Sequence, residues 1–221
     1  QVNLWELWRE VMAHVNSLGP GAAQYLNNLR ALLDVLPVSI SPTNIWPVIV
    51  AAGKGTRAAA SGLDVPKPLA VVGQKPAIVH VIDNIQTGLG PTRPPVVIVS
   101  PETENQCREQ LRDRDVIFVT QSDSLGTGDA VLCAKEVMKD FDGLSLIVWS
   151  TQPVIRPSTF QLTVKLASLF DGYEMIVPTA IRQHPYAPIK RGEFGEVQTA
   201  RETHLERAES VDLGETNIGM F

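Results

Sequence analysis

The stretch Trp46-Pro47-Val48-Ile49-Val50-Ala51-Ala52-Gly53-Lys54-Gly55-Thr56-Arg57 decides the fold. Its first part, Trp46–Ala51, is a short apolar run rich in β-branched residues, the pattern of a buried strand. The strand passes without a spacer into a glycine-rich turn that carries two cations, Lys54 and Arg57. Similar runs recur downstream at Pro95–Ser100, Val116–Thr120, Leu144–Trp149 and Met175–Thr179. Between them the spacing predicts helices over Ala77–Ile85, Glu102–Arg112, Thr127–Lys139 and Ser158–Leu169. Strands alternating with helices predict βαβ units. Strands that are apolar throughout suit a sheet covered on both faces. The expected fold class is therefore α/β, with a doubly wound, mostly parallel sheet.

Upstream of Trp46 the pattern differs. Leu4, Leu7, Trp8, Val11, Met12 and Val15 recur at helical spacing, as do Tyr25, Leu26, Leu29, Leu32, Leu33 and Leu36. Gly19-Pro20-Gly21 separates the two runs as a turn. Residues 1–45 are read as a helical hairpin and linker, and residues 46–221 as the α/β domain. Trp5 and Trp8 give the hairpin a sizeable apolar face, suited to its own sheet or to a partner. From Tyr186 onward the alternation is lost, and Arg191-Gly192-Glu193-Phe194-Gly195 reads as a turn within a β excursion. The chain starts at Gln1 and stops at Phe221 just after a strand-like run, which reads as a fragment or a processed chain.

Composition narrows the function classes. The 221 residues are 44% hydrophobic and 19% charged, with a formal net charge of −5. That balance argues against a nucleic-acid partner, because phosphate backbones require a basic face. No apolar run reaches the roughly 18–20 residues that span a membrane. The first apolar stretch, Leu4–Val15, is broken by Glu6, Arg9 and Glu10, so no signal peptide is read. Cys107 and Cys133 sit in no CxxC or metal-ligand spacing, a usage that fits a cytoplasmic protein. His14, His80, His184 and His204 are scattered, without HxxxH or HExxH spacing.

In an open α/β sheet, ligands bind outside the carboxyl ends of the strands. A glycine-rich turn there lets backbone N–H groups approach phosphate oxygens. Lys54 and Arg57 add positive charge, and a guanidinium can contact phosphate bidentately. The loop is neither a Walker loop nor a dinucleotide fingerprint, since GxGxxG fails at Ala58. Taken alone it is also compatible with a tight turn that binds nothing. Pro66-Lys67-Pro68-Leu69 follows, and prolines on both sides restrict the backbone that presents Lys67. Gly73-Gln74-Lys75-Pro76 comes next. A later block, Gln121-Ser122-Asp123-Ser124-Leu125-Gly126-Thr127-Gly128-Asp129-Ala130, lies at the start of a predicted helix. Gln121 offers donor and acceptor atoms suited to a nucleobase edge, and a Gly-Thr-Gly helix start offers free N–H groups.

These blocks, in this order, resemble the signature of the sugar-1-phosphate nucleotidyltransferases, in particular the N-acetylglucosamine-1-phosphate uridyltransferase domain. That pattern reads roughly LAAGxGTRM, PKxL, GxPM and QxxxLGTGHA. Tyr186-Ala187-Pro188-Ile189 sits where the family has Tyr-Gly-Arg-Ile. Arg201-Glu202 sits near its Val-Glu, and Glu215-Thr216-Asn217-Ile218-Gly219 matches its Glu-x-Asn-x-Gly. The resemblance covers residues 46–221. It implies a Rossmann-like nucleotidyltransferase fold that binds a nucleoside triphosphate, with UTP or dTTP favoured, and a sugar-1-phosphate. It implies Arg57 and Lys67 as catalytic groups. Ala51, Ala52, Gly53, Gly55, Thr56, Gln121, Gly126 and Thr127 would bind the nucleotide, and Glu202 and Asn217 the sugar.

The resemblance also implies Mg²⁺, held by an aspartate at the end of the fourth strand. This chain has Ser150-Thr151-Gln152-Pro153, so Thr151 stands at the aspartate position. Mg²⁺ is usually held by one or two carboxylates together with phosphate oxygens and water. A threonine hydroxyl is neutral, and its loss of charge should cost several kcal/mol, on the scale of such transition-state interactions. Ala187-Pro188 for Gly-Arg is a second departure, because proline removes an N–H donor beside the sugar. Asp129 stands where the family often has His. The sequence therefore supports nucleotidyl transfer to a sugar-1-phosphate, giving an NDP-sugar and pyrophosphate. Its alternative is a catalytically impaired module that binds a nucleotide or nucleotide-sugar. Transfer to a non-sugar phosphate is a third option. A homo-oligomer or a partner docked on the hairpin fits either leading reading.

Overall fold

The computed structural model describes residues 40–169, 174–192, 197–203 and 210–221, together with Gln24, Ala31 and Val35. The expected helical hairpin lies outside the described residues. The described chain forms two compact units, Ile40–Gln161 with Gly219–Phe221, and Leu162–Ile218.

The first unit is built on a four-stranded parallel sheet. Its strands are β1 (Ile45–Val50), β4 (Val96–Val99), β5 (Ile117–Thr120) and β6 (Leu144–Trp149), in the order β5-β4-β1-β6. The short strands β2 (Val71–Val72) and β3 (Lys75–Pro76) form a separate hairpin. The four apolar runs predicted from sequence become these four sheet strands, within one or two residues at each end. Val96, Val97, Ile98 and Val99 are all fully buried, as expected of a central strand apolar on both faces. Pro47 lies inside central β1 although proline cannot donate to a ladder. The pairing of β1 with β4 runs only from Val48 to Val50, so Pro47 sits before it begins.

The helices of this unit are α1 (Thr56–Ala60), α2 (Ala77–Leu89), α3 (Glu104–Gln110), α4 (Thr127–Cys133) and α5 (Lys135–Met138). The single helix expected over Thr127–Lys139 is thus divided at Ala134. On one face of the sheet Trp46, Val48, Val96 and Ile98 pack with Ala130 and Ala134 of the α4–α5 segment. Small alanines there let the helix come close to the strands. Helix α2 buries Ile78, Val81, Ile82 and Ile85, spaced at three, four and seven residues as one helical face requires. The free edge of β6 is covered by the chain end. Trp149 N–H donates to Gly219 O at 2.8 Å, and Ile147 and Phe221 exchange bonds of 3.0 and 2.9 Å.

Cys107 is fully buried on α3, and burial pushes its thiol up to about 11. It is a small apolar core residue. Among the described residues no helix is long and apolar enough to cross a membrane.

The second unit contains two antiparallel pairs, β7 (Thr179–Gln183) with β10 (Leu213–Asn217), and β8 (Ile189–Arg191) with β9 (Val197–Ala200). The division between units falls within α6 (Pro157–Leu169). The run Met175–Thr179, expected as a fifth strand of the parallel sheet, corrects the sequence reading. Strand structure starts only at Thr179 and pairs antiparallel with β10. Met175 is 64% exposed, so an apolar run here does not mark a buried strand.

Candidate functional site

The carboxyl ends of the parallel strands carry most of the residues singled out in the sequence. The strand order changes direction at β1: β4 and β5 lie on one side and β6 on the other. Loops that leave neighbouring strands on opposite sides of such a point open a crevice. Three backbone bonds extend the ladder past the strand ends and fix where the loops depart. Ala51 N–H donates to Ile98 O at 2.7 Å, Gln121 N–H to Val99 O at 2.8 Å, and Ser150 N–H to Val50 O at 3.0 Å.

The loop after β1 then rises from the core. Ala51 and Ala52 are buried, while Gly53 and Lys54 are exposed. Gly55 has φ +64°, a left-handed conformation that favours glycine. Its carbonyl accepts from Ala58 and Ala59 at 2.9 and 3.0 Å, which starts α1 directly after the glycines. Thr56 and Arg57 are the first two residues of that helix.

Lys67 comes to this loop from a 3₁₀ turn, Lys67–Leu69, introduced by Pro66. A Cβ built on Gly55 would lie 3.6 Å from Lys67 Cγ and 3.9 Å from its Cδ and Cε. The lysine stem therefore runs along the glycine, and the two motifs of the sequence meet in space. The turn is held on its far side, where Ala77 N–H donates to Ala70 O at 2.9 Å. Beyond it Lys75 donates to Asp83 at 2.7 Å, and Arg114 donates to the other oxygen of Asp83 at 2.6 Å. Burial alone would raise the Asp83 carboxyl, but these two bonds outweigh it and hold the group below the usual aspartate range.

A further carboxylate borders the loop. The Ser100 hydroxyl at the end of β4 holds the Glu102 carboxyl low, aided by its own backbone N–H and the Lys54 charge. Nothing in the sequence pattern marked Glu102, because it comes near Lys54 only through the pairing of β1 with β4.

The Gln121–Ala130 block folds back on itself. Gln121 is 3% exposed, and its Nε2 donates to Asp129 Oδ2 at 2.6 Å and to Gly126 O at 3.4 Å. Gly126 precedes α4 at φ +109°, and a Cβ on Gly126 or Gly128 would meet nothing within 4 Å. The Thr127 hydroxyl accepts from Trp149 Nε1 at 3.1 Å, which ties the start of α4 to the end of β6. Sequence reasoning placed Gln121, Gly126 and Thr127 here but missed that Asp129 and Trp149 hold two of them.

The end of β6 is chemically neutral. Thr151 is exposed and Gln152 half-buried, in a turn closed by Gln152 N–H to Trp149 O at 3.2 Å. Among the described residues no three His, Cys, Asp or Glu side chains cluster to hold a metal ion. Asp129 already has one carboxylate oxygen on Gln121. The donor set at Thr151 does not fit the expected Mg²⁺ site.

The residues expected to hold the sugar lie in the second unit. The Tyr186 hydroxyl donates to the Glu202 carboxylate. Ala187 and Pro188 are buried. Asn217 ends β10 opposite Thr179. Glu215, two residues earlier, accepts both Arg191 nitrogens at 2.6 Å and the Thr179 hydroxyl at 2.6 Å. The Arg191 hydrogen bonds hold the Glu215 carboxyl below the usual glutamate range.

The chain is 31% identical over 175 residues to the Bifunctional protein GlmU of Clostridium botulinum (strain Loch Maree / Type A3), covering 79% of this chain and 37% of that protein. It is 34% identical over 180 residues to the Bifunctional protein GlmU of Exiguobacterium sibiricum, covering 80% and 38%. The chain thus spans well under half the length of these curated relatives. Among solved structures, a Methanothermobacter nucleotidyl transferase is similar at TM-score 0.43 and 22% identity, over 55% of this chain and 56% of that one. The Rv0371c protein of Mycobacterium tuberculosis in complex with manganese is similar at TM-score 0.44 and 15% identity, over 64% of each chain. A family model matches residues 47–211, from the glycine-loop strand into the second unit, and the chain belongs to the family it describes, the MobA-like NTP transferase domain.

Proposed function

We propose that this chain transfers a nucleotidyl group from a nucleoside triphosphate to a sugar-1-phosphate. A sugar-phosphate oxygen attacks the α-phosphorus in line. One P–O bond forms, the bond to the β-phosphate breaks, and pyrophosphate leaves with the electron pair. The observation that carries this reading is the Lys67 stem lying along Gly55, which brings a cationic side chain beside a glycine loop at the carboxyl end of a central strand. Such chemistry depends on positioning and on charges aimed at the phosphoryl oxygens.

The backbone from Ala51 and Ala52 through Gly53, Gly55 and Thr56 cradles the triphosphate in this reading. Arg57 holds the β- and γ-phosphates, and Lys67 neutralises charge that develops at the α-phosphate. Gln121, Gly126 and Thr127 receive the base, and Glu202 and Asn217 the sugar. The resemblance favours UTP or dTTP. Residues 46–221 are taken as one doubly wound nucleotidyltransferase-like domain, supported by the family match over 47–211. A helical hairpin and linker over residues 1–45 complete the proposed organisation.

A second reading has a specific observation behind it. Thr151 and Gln152 put no carboxylate at the end of β6, which favours a nucleotide-binding module without transferase activity. The test incubates the full chain with each nucleoside triphosphate, a panel of sugar-1-phosphates and Mg²⁺ or Mn²⁺, and measures pyrophosphate release. Release that requires one acceptor and is lost in Lys67→Ala supports transfer. Nucleotide binding with no release from any acceptor leaves the binding module as the function.

A further inference from the structure

We infer that Glu215 is a positioning residue for the sugar: through Arg191 and Thr179 it locks the strand pair that carries Glu202 to the pair that carries Asn217, so that both groups meet one sugar. The inference rests on the reading of Glu202 and Asn217 as the residues that hold the sugar.

Those two residues belong to different ladders. Asn217 ends β10, directly opposite Thr179 of β7. Glu202 follows β9. Its end of the β8–β9 pair is extended by Thr203 N–H donating to Tyr186 O at 2.8 Å and by the Tyr186 hydroxyl on the Glu202 carboxylate. The β7–β10 and β8–β9 pairs share no strand. A sugar held from both needs the pairs fixed relative to each other, since small displacements of a positioning group are costly.

Glu215 supplies that link. Arg191 of β8 donates from Nε to Glu215 Oε2 and from Nη2 to Glu215 Oε1, both at 2.6 Å. Two parallel bonds to one carboxylate make a strong pair that also fixes orientation. The Glu215 side chain is only 18% exposed, so water screens the pair less than it would at the surface. β8–β9 is shaped to deliver the arginine. Ile189 and Lys190 pair with Ala200 and Thr199, but Arg191 pairs with Val197, so the register slips at Gln198. Such a bulge re-aims the side chains beside it, and this one falls at the residue that reaches Glu215.

The other pair is gripped by the same carboxylate. Side-chain alternation puts Glu215 and Asn217 on one face of β10, away from buried Thr216. The Thr179 hydroxyl donates to Glu215 Oε1 at 2.6 Å, a diagonal bond across the ladder. One carboxylate thus holds β8 through Arg191 and the residue opposite Asn217 through Thr179.

Titration calorimetry of the full chain with UDP, UDP-glucose and UDP-N-acetylglucosamine tests the inference. The readout is the gain in affinity that the sugar adds over UDP. The intact chain is expected to gain at least about tenfold with one of the two sugars, the worth of one or two hydrogen bonds. Glu215→Gln is expected to cut the gain to within about threefold of unity and to leave UDP itself within about twofold. Arg191→Gln breaks the link from its other side and is expected to lose as much. The double variant should lose no more than either, because the two residues act as one contact. Thr179→Val exchanges a hydroxyl for a methyl of the same shape, so it tests the inference even where the charge variants do not fold. It is expected to lose about threefold of the gain, and an unchanged gain there overturns the inference. A gain abolished by Glu215→Gln but intact in Arg191→Gln shows Glu215 meeting the sugar itself, which overturns the inference and leaves the sugar site standing. Loss of UDP affinity in step with the gain marks a general structural defect and also overturns it. UDP binding with no gain from either sugar in the intact chain overturns the inference together with the sugar reading. Absence of UDP binding overturns the nucleotide reading beneath both.

Discussion

The loop that leaves β1 and the loop that leaves β6 start side by side, from strands paired Val50 to Trp149, yet they carry opposite chemistry. The β1 loop has two glycines, exposed Lys54 and a second lysine, Lys67, packed along it from a separate turn. The β6 loop offers only the neutral side chains of Thr151 and Gln152. On the proposed reading one loop meets phosphate, and the other lacks the carboxylate that would hold a divalent cation beside it. A phosphate cradle and a metal ligand are thus separable parts, even on adjacent strands.

The hardest blow to this comparison would fall on Lys67. Lys67→Ala removes the cation beside the loop and is expected to lower the rate of pyrophosphate release by about 10²–10³-fold, the scale of losing one preorganised charge contact. Steady-state assays that show less than about a threefold loss would place the catalytic charge elsewhere. The neighbouring loop calls for a gain. Thr151→Asp supplies a carboxylate at the end of β6, and Mg²⁺ is then expected to tighten nucleotide binding about tenfold, against less than about threefold in the unaltered chain. Calorimetry with and without Mg²⁺ checks this. A strong Mg²⁺ response in the unaltered chain would show that another group already does what Thr151 cannot.

Much of this contrast was legible in the sequence, for identifiable reasons. β1, β4, β5 and β6 could be read because continuous apolar runs leave little choice of environment. The glycine loop, Lys67 and the Gln121 block could be read because each is local in the chain. Four things were not legible. Met175–Thr179 has a strand-like composition, but whether such a run is buried depends on what covers it, and Met175 is largely exposed. The break at Ala134 interrupts a helical pattern without any glycine or proline to announce it. The Gln121–Asp129 bond joins residues eight apart across a turn, and only the left-handed Gly126 brings them together. Glu102 meets Lys54 through strand pairing, which carries no local signal.

Within the β1 loop the two glycines should behave differently, which sharpens what the loop is for. Gly55 holds φ +64°, so Gly55→Val is strained by about 1–2 kcal/mol even though its Cβ would meet Lys67 only at ordinary contact distance. Nucleotide affinity is expected to fall about tenfold and thermal stability to drop with it. A Cβ on Gly53 meets nothing within 4 Å, so Gly53→Ala should leave thermal stability unchanged. If phosphate approaches the backbone there, that variant still weakens nucleotide binding by a few-fold. Calorimetry beside thermal denaturation separates the two. Gly53→Ala with full affinity would move the phosphate away from Gly53.

The smallest effect belongs to the support beneath Lys67, and it concerns stability alone. Asp83 on α2 receives Lys75 of β3 and Arg114 in one ion-paired cluster, one residue to each oxygen. The carboxyl is lowered on folding, so the folded chain holds that proton more weakly than the unfolded one. Its stabilisation is therefore complete above the unfolded value and disappears as pH falls through the lower folded one. At pH 7, Asp83→Asn is expected to cost about 0.5–1 kcal/mol, the scale of a partly exposed charged pair. Below about pH 4 the difference should shrink, and it closes once the carboxyl takes up its proton in the folded state as well. Denaturant melts at pH 7 and pH 3 measure the difference, and a gap that stays constant would mean the cluster works through packing instead of charge. Nucleotide affinity at pH 7 should stay within about twofold, since neither loop loses a group.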